Sequence, residues 1–139
     1  MINKLAHVGI AVTNLEESAR MFSKLFGVDH VDIEFVEDQK VKIGFFHLQG
    51  SSVELTEATA PTSPIAKFIE KHGEGMHHLS FEVEDILSEL KRLKDEGFRL
   101  IDETPRIGAG GYWIAFIHPK STNGVLIEIC QKVRESDAR

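Results

Sequence analysis

Two short stretches of this chain carry residues whose types and spacing suit chemistry. His7-Val8-Gly9-Ile10-Ala11-Val12 and His78-Leu79-Ser80-Phe81-Glu82-Val83 both read histidine, apolar, small, apolar, any residue, valine. Side chains alternate across a strand, so Val8, Ile10 and Val12 share one face while His7, Gly9 and Ala11 share the other. The second copy separates Leu79, Phe81 and Val83 from His78 and Ser80 in the same way. A lone strand histidine is usually a hydrogen-bonded core residue, but a repeated one flanked by small groups has room beside it for a ligand.

A second pair follows the same logic. Val53-Glu54-Leu55 and Ile127-Glu128-Ile129 place a carboxylate in the middle of an apolar strand near the end of each half. Burying an unpaired carboxylate is costly, so such a residue has a cation, a metal or a raised pKa. Two histidines and two glutamates at matching positions, His7, Glu54, His78 and Glu128, form a ligand set suited to a divalent transition metal. Four protein ligands leave octahedral positions open for water or a substrate oxygen, and an ion there is a Lewis acid.

The elements that must position these residues repeat as well. After the first strand, Thr13 or Asn14 is the expected N-cap, with Glu16 or Glu17 as its reciprocal partner. Leu15, Ala19, Phe22 and Phe26 recur at helical spacing, and Gly27 supplies a left-handed stop. Val28 to Val36, Val41 to Leu48 and Ser52 to Glu57 read as strands, completing a βαβββ module over residues 1–58. Residues 59–74 form a linker with Pro61, Pro64 and a short amphipathic segment ending at Gly73. The second module, 75–131, restarts at Met76. It continues with a helix from Asp85 to Glu96 that buries Ile86, Leu90 and Leu93, then strands over Phe98 to Ile101, Tyr112 to His118 and Gly124 to Gln131. Residues 132–139 are expected to be a charged, fraying tail. The fold class is therefore α+β, two tandem βαβββ modules in one domain spanning 1–131.

Other histidines and loops carry less. His77 faces away from His78, and His30, His47, His72 and His118 have no counterpart in the other half. The loop His118-Pro119-Lys120-Ser121-Thr122-Asn123-Gly124 is a turn whose Lys120 and Ser121 could contact an anion. The glycine-rich Gly108 to Gly111 loop does not follow a strand and open a helix, which makes it a weak phosphate signature. Tyr112 and Trp113 read as core or rim aromatics.

Composition bounds the functional class. With 139 residues and 42% apolar content the chain can bury a core of one domain's size. A net charge of −6 argues against a nucleic-acid surface. Cys130 is the single cysteine, which excludes an intrachain disulfide and fits a reducing compartment. No apolar run approaches the roughly 20 residues that span a bilayer, and Met1-Ile2-Asn3-Lys4 leads into a strand and not a signal peptide. A soluble, cytoplasmic protein with no membrane partner is expected.

At His7, Glu54, His78 and Glu128 the sequence resembles the vicinal oxygen chelate superfamily, which includes glyoxalases, bleomycin resistance proteins and dioxygenases. Within it the chain is most similar to the methylmalonyl-CoA epimerase family, through Ser63-Pro64-Ile65-Ala66-Lys67-Phe68-Ile69, Gly73-Glu74-Gly75-Met76-His77-His78, Leu100-Ile101-Asp102-Glu103 and Phe116-Ile117-His118-Pro119-Lys120-Ser121. The resemblance implies a curved mixed sheet around one divalent metal (Co, Ni, Zn or Mn) held by His7, Glu54, His78 and Glu128. It also implies a homodimer, and an acyl-CoA substrate epimerised by proton abstraction next to its thioester. Glu128 is the expected base, with Glu54 as a further acid/base candidate and Lys120 and Ser121 as substrate contacts. Where some members carry a second glutamate after the Glu37-Asp38-Gln39 turn, this chain has Ile43 and Gly44. Rival readings are a glyoxalase I-type lactoylglutathione lyase, a ring-cleaving dioxygenase and a drug-binding protein of the same fold.

Overall fold

The computed structural model of the chain describes residues 1–134 and 136. Its elements fall into two compact units, His7–His77 and Met1–Ala6 with His78–Arg139. Each unit repeats one plan.

In the first plan, strand β1 (Ile2–Ala11) leads to helix α1 (Leu15–Phe26) and then to β2 (Asp32–Val36), β3 (Val41–Leu48) and β4 (Ser51–Ala58). Asn14 caps α1 by accepting the Glu17 N–H, and Gly27 ends it in the left-handed conformation at φ 69°. Phe22, Phe26 and Leu15 on the apolar stripe of α1 pack on Phe46, Val53 and Leu55, one face of the strands. Gly44 lies beneath this helix, where a β-carbon would stand 3.0 Å from Leu15. Strand β2 starts at Asp32 and is shorter than the expected Val28 to Val36.

The linker contains helix α2 (Pro64–His72), started by the Ser63 hydroxyl accepting the Ile65 N–H, with Pro64 in the first turn. The second plan then runs through β5 (Gly75–Val83), α3 (Ile86–Asp95), β6 (Arg106–Ile107), β7 (Tyr112–Ile117) and β8 (Ile127–Lys132). Its core is Ile86, Leu90 and Leu93 of α3 against Ala115, Ile117 and Ile129. Among the described residues the strand order is β2-β3-β4-β1 in the first plan and β5-β8-β7-β6 in the second.

One expected strand is absent. Phe98 to Ile101 makes a single bridge, Leu100 to Ile117, and the short strand is instead Arg106–Ile107. Phe98 and Leu100 pack into the core, and the Asp102 carboxylate accepts the Phe116 N–H at 2.8 Å. A side chain thus takes the donor that a longer strand would have used. Of the expected tail, Lys132 belongs to β8, and residues 135 and 137–139 lie outside the described residues.

Candidate metal centre

Within each unit the paired residues occupy the same place in the ladder. In the first, β1 and β4 run parallel with Gly9 opposite Glu54, and Phe45 of β3 faces Glu54 from the other side. In the second, β5 and β8 run parallel with Ser80 opposite Glu128, and Phe116 of β7 faces Glu128. Each glutamate therefore sits between a small residue two positions after the histidine and a phenylalanine. Leu55 and Ile129, the neighbours of the glutamates, are fully buried under α1 and α3. Alternation then turns Glu54 and Glu128 to the opposite face of the strands.

A matched tether fixes each glutamate strand to the start of its helix. The Leu15 N–H donates to the Glu57 carboxylate at 2.7 Å, and the Ile86 N–H donates to the Gln131 side-chain oxygen at 2.8 Å. Each tether satisfies a first-turn donor that a helix leaves open.

The donor set is buried. Glu54, His78 and Glu128 are each at most 9% exposed. His7 Nδ1 stands 2.8 Å from a carboxylate oxygen of Glu54, and the His78 ring meets Phe116 edge-on at 5.7 Å. Among the described residues the group of His, Cys, Asp and Glu side chains that could hold a metal ion is His7, His78 and Glu128. Two imidazoles and a carboxylate suit a divalent transition metal. Glu54 stands outside that group and on His7. A carboxylate on the second nitrogen of a metal-binding imidazole fixes its tautomer and raises its basicity.

Lys120 and Ser121 lie in a 3-10 turn, Pro119–Ser121. The His118 ring caps this turn by accepting the Lys120 N–H at 3.1 Å, and the Ser121 hydroxyl accepts the Arg99 N–H at 2.9 Å. Lys120 is exposed. Partial burial, with Arg99 and Lys120 nearby, lowers the pKa of His118 and favours the neutral ring that such a cap requires. His77 packs edge-on against Phe68 of α2 at 4.8 Å, and burial lowers its pKa to about 4. It is a neutral packing group.

Some features were not legible in the sequence. The phenylalanines opposite the glutamates and the Glu57 and Gln131 tethers depend on strand register. The Asp32 carboxylate stands 2.8 Å from His30 Nε2 and 3.3 Å from His47 Nε2, and the His30 hydrogen bond holds its pKa below the usual carboxylate value. A depression of about 840 Å³ between α1, β2 and β3 is lined by Leu15, Ala19, Val31, Ile33, Phe35 and Lys42. It opens on the helix side of these strands, the face opposite Glu54, and does not serve the histidine–glutamate pairs.

Residues 6–116 match the family model of the Glyoxalase/Bleomycin resistance protein/Dioxygenase superfamily. The chain is 41% identical to the mitochondrial methylmalonyl-CoA epimerase of Dictyostelium discoideum, over 94% of this chain and 80% of that protein. It is 40% identical to the ethylmalonyl-CoA/methylmalonyl-CoA epimerase of Cereibacter sphaeroides, over 94% and 99%. In three dimensions it is similar to a variant of Streptomyces coelicolor methylmalonyl-CoA epimerase solved with 2-nitronate-propionyl-CoA. The TM-score there is 0.91 at 29% identity, covering 96% of each chain.

Proposed function

Because the chain belongs to the glyoxalase/bleomycin resistance protein/dioxygenase superfamily, we propose that it is a metal-dependent epimerase of a 2-methylmalonyl-type acyl-CoA. It has the glyoxalase-like fold and is an isomerase of the methylmalonyl-CoA epimerase kind. One observation carries the finer reading. The His–Glu pair recurs at the same register in both modules, with Gly9 and Phe45 around Glu54 and Ser80 and Phe116 around Glu128.

His7, His78 and Glu128 would hold one divalent ion, Co, Ni, Zn or Mn, with Glu54 seated on His7, and the ion when bound would supply Lewis acidity to the thioester carbonyl. The other steps belong to side chains. The hydrogen on the carbon between thioester and carboxylate is weakly acidic, and Glu128 removes it. Phe116 lies directly opposite that glutamate across the ladder. Lys120 offers its exposed ammonium to the anionic coenzyme end, and the Ser121 hydroxyl, which already accepts from Arg99, still has a proton to donate. The proposal also takes the protein to be a cytoplasmic homodimer, a state that sedimentation would test. Among the described residues no helix is long and apolar enough to cross a membrane.

The test is a comparison of two substrates. Metal-loaded protein in deuterated water should exchange the C2 hydrogen of methylmalonyl-CoA and interconvert its stereoisomers. It should leave methylglyoxal plus glutathione unchanged. Conversion of the hemithioacetal alone would replace the epimerase by the glyoxalase I-type lyase.

A further inference from the structure

A closed circuit of hydrogen bonds laces the loop after α3 to the turn after β7. The His118 N–H donates to the Arg99 carbonyl at 2.8 Å, the Arg99 N–H donates to the Ser121 hydroxyl at 2.9 Å, and the Ser121 N–H donates back to the His118 carbonyl at 3.0 Å. Further on, the Thr122 and Gly124 N–H groups both donate to the Pro119 carbonyl. The Lys120 N–H is the donor that this turn gives to a side chain, and the His118 ring accepts it on Nδ1 at 3.1 Å.

Of these bonds only the last can be broken by a change of pH near neutrality. A ring that accepts on Nδ1 carries its single proton on Nε2, and a second proton on Nδ1 turns the acceptor into a donor facing another donor. The ring is half-buried. Its desolvation, and then the Arg99 guanidinium from the loop and the Lys120 ammonium from the turn itself, push its pKa below the ordinary imidazole value. The capped turn therefore belongs to the neutral ring. It is complete above the ordinary imidazole pKa and is lost as pH falls through the lower folded value.

We infer that His118 is a positioning residue for the acyl-CoA: its neutral ring, by holding the Lys120 N–H, fixes the turn from which Lys120 and Ser121 reach the anionic coenzyme, and protonation of the ring releases that turn. The inference rests on the acyl-CoA reading proposed above, in which Lys120 and Ser121 meet the substrate. Losing a side-chain cap weakens the order of the turn it holds by about 2- to 30-fold. Affinity for the coenzyme should fall by a factor in the same range, because a turn that is ordered only part of the time presents its lysine and serine only part of the time.

The experiment measures binding of propionyl-CoA, a thioester without the 2-carboxylate, to the zinc-loaded full chain by calorimetry from about pH 7.5 to about pH 5. Zinc content and melting temperature are checked at each pH. His118→Asn supplies a neutral acceptor that does not titrate, so it should bind within about two-fold of wild type at the upper pH and more tightly than wild type at the lower. His118→Leu has no acceptor and should bind about 2- to 30-fold more weakly at the upper pH, with a pH dependence no steeper than that of the Asn variant. Lys120→Ala should weaken binding as well. Wild-type affinity in His118→Leu beside a weakened Lys120→Ala overturns the role of His118 and leaves the acyl-CoA reading standing, even if the Leu variant melts earlier. So do parallel declines with pH in wild type and His118→Asn. A wild type that gains affinity over the Asn variant as pH falls would make the ring a direct partner of a phosphate, which also overturns it. Unchanged binding by Lys120→Ala overturns the contact on which the inference rests, and no binding of propionyl-CoA by the wild type overturns both readings.

Discussion

His7 Nδ1 and a carboxylate oxygen of Glu54 stand 2.8 Å apart. A neutral His7 that donates its Nδ1 hydrogen to Glu54 keeps the Nε2 lone pair for a metal, so this contact decides which nitrogen is presented. Glu54→Gln should preserve the acceptor and cost little metal affinity if Glu54 acts through His7. Glu54→Ala should then weaken cobalt binding by about 10- to 100-fold, the range seen when an outer partner of a ligand is removed. Loss of binding in both variants, measured by calorimetry, would make Glu54 a direct ligand.

The two adjacent histidines of β5 should separate cleanly. His78→Ala removes a donor on the glutamate face and should abolish cobalt binding at micromolar protein. His77 packs on Phe68 and is held neutral by burial, so His77→Ala should bind cobalt normally. Equal losses of metal would show that the strand presents its side chains the other way round.

Glu128→Gln distinguishes a ligand from a base. The amide oxygen can still donate a lone pair to a cation, but it cannot accept a carbon-bound proton. Deuterium wash-in at matched metal occupancy should fall by about 10² to 10⁴-fold. Near wild-type exchange would remove Glu128 from proton transfer and leave it a ligand alone.

The tethers predict an asymmetry of substitution. Gln131 does in the second module what Glu57 does in the first, so Glu57→Gln should lose only the ion pair with Lys42, worth well under ~1 kcal/mol at this partly exposed site. Glu57→Ala and Gln131→Ala leave a helix N–H without its acceptor and should each cost about 1–3 kcal/mol in urea unfolding.

Acid stability should depend on Glu89, which is 2% exposed and accepts from Arg92 and the Met1 amine. The Arg92 hydrogen bond comes first among the causes that hold its pKa below the usual carboxylate value. Its stabilising effect is therefore present above the pKa of an unfolded glutamate, near 4.3, and fades as pH falls through the lower folded value. Glu89→Gln should lower the melting temperature at pH 7 and flatten its decline below about pH 4.5. An unchanged acid limb would assign that decline to other carboxylates.

Local signals were enough to read much of this molecule. The repeated histidine and glutamate strings, the cap at Asn14 and the stop at Gly27 are written in neighbouring residues, because helix ends and strand alternation are set within a few positions. The His–Glu pairs could be named for the same reason. Register could not. Only folding set Phe45 and Phe116 across from the two glutamates and placed Glu57 and Gln131 on the helix starts. Only folding let Asp102 take a strand donor and reduce Phe98 to Ile101 to a bridge. Such pairings join residues far apart in the chain, and they are decided by which apolar faces pack beneath α1 and α3. No short stretch of sequence contains that information.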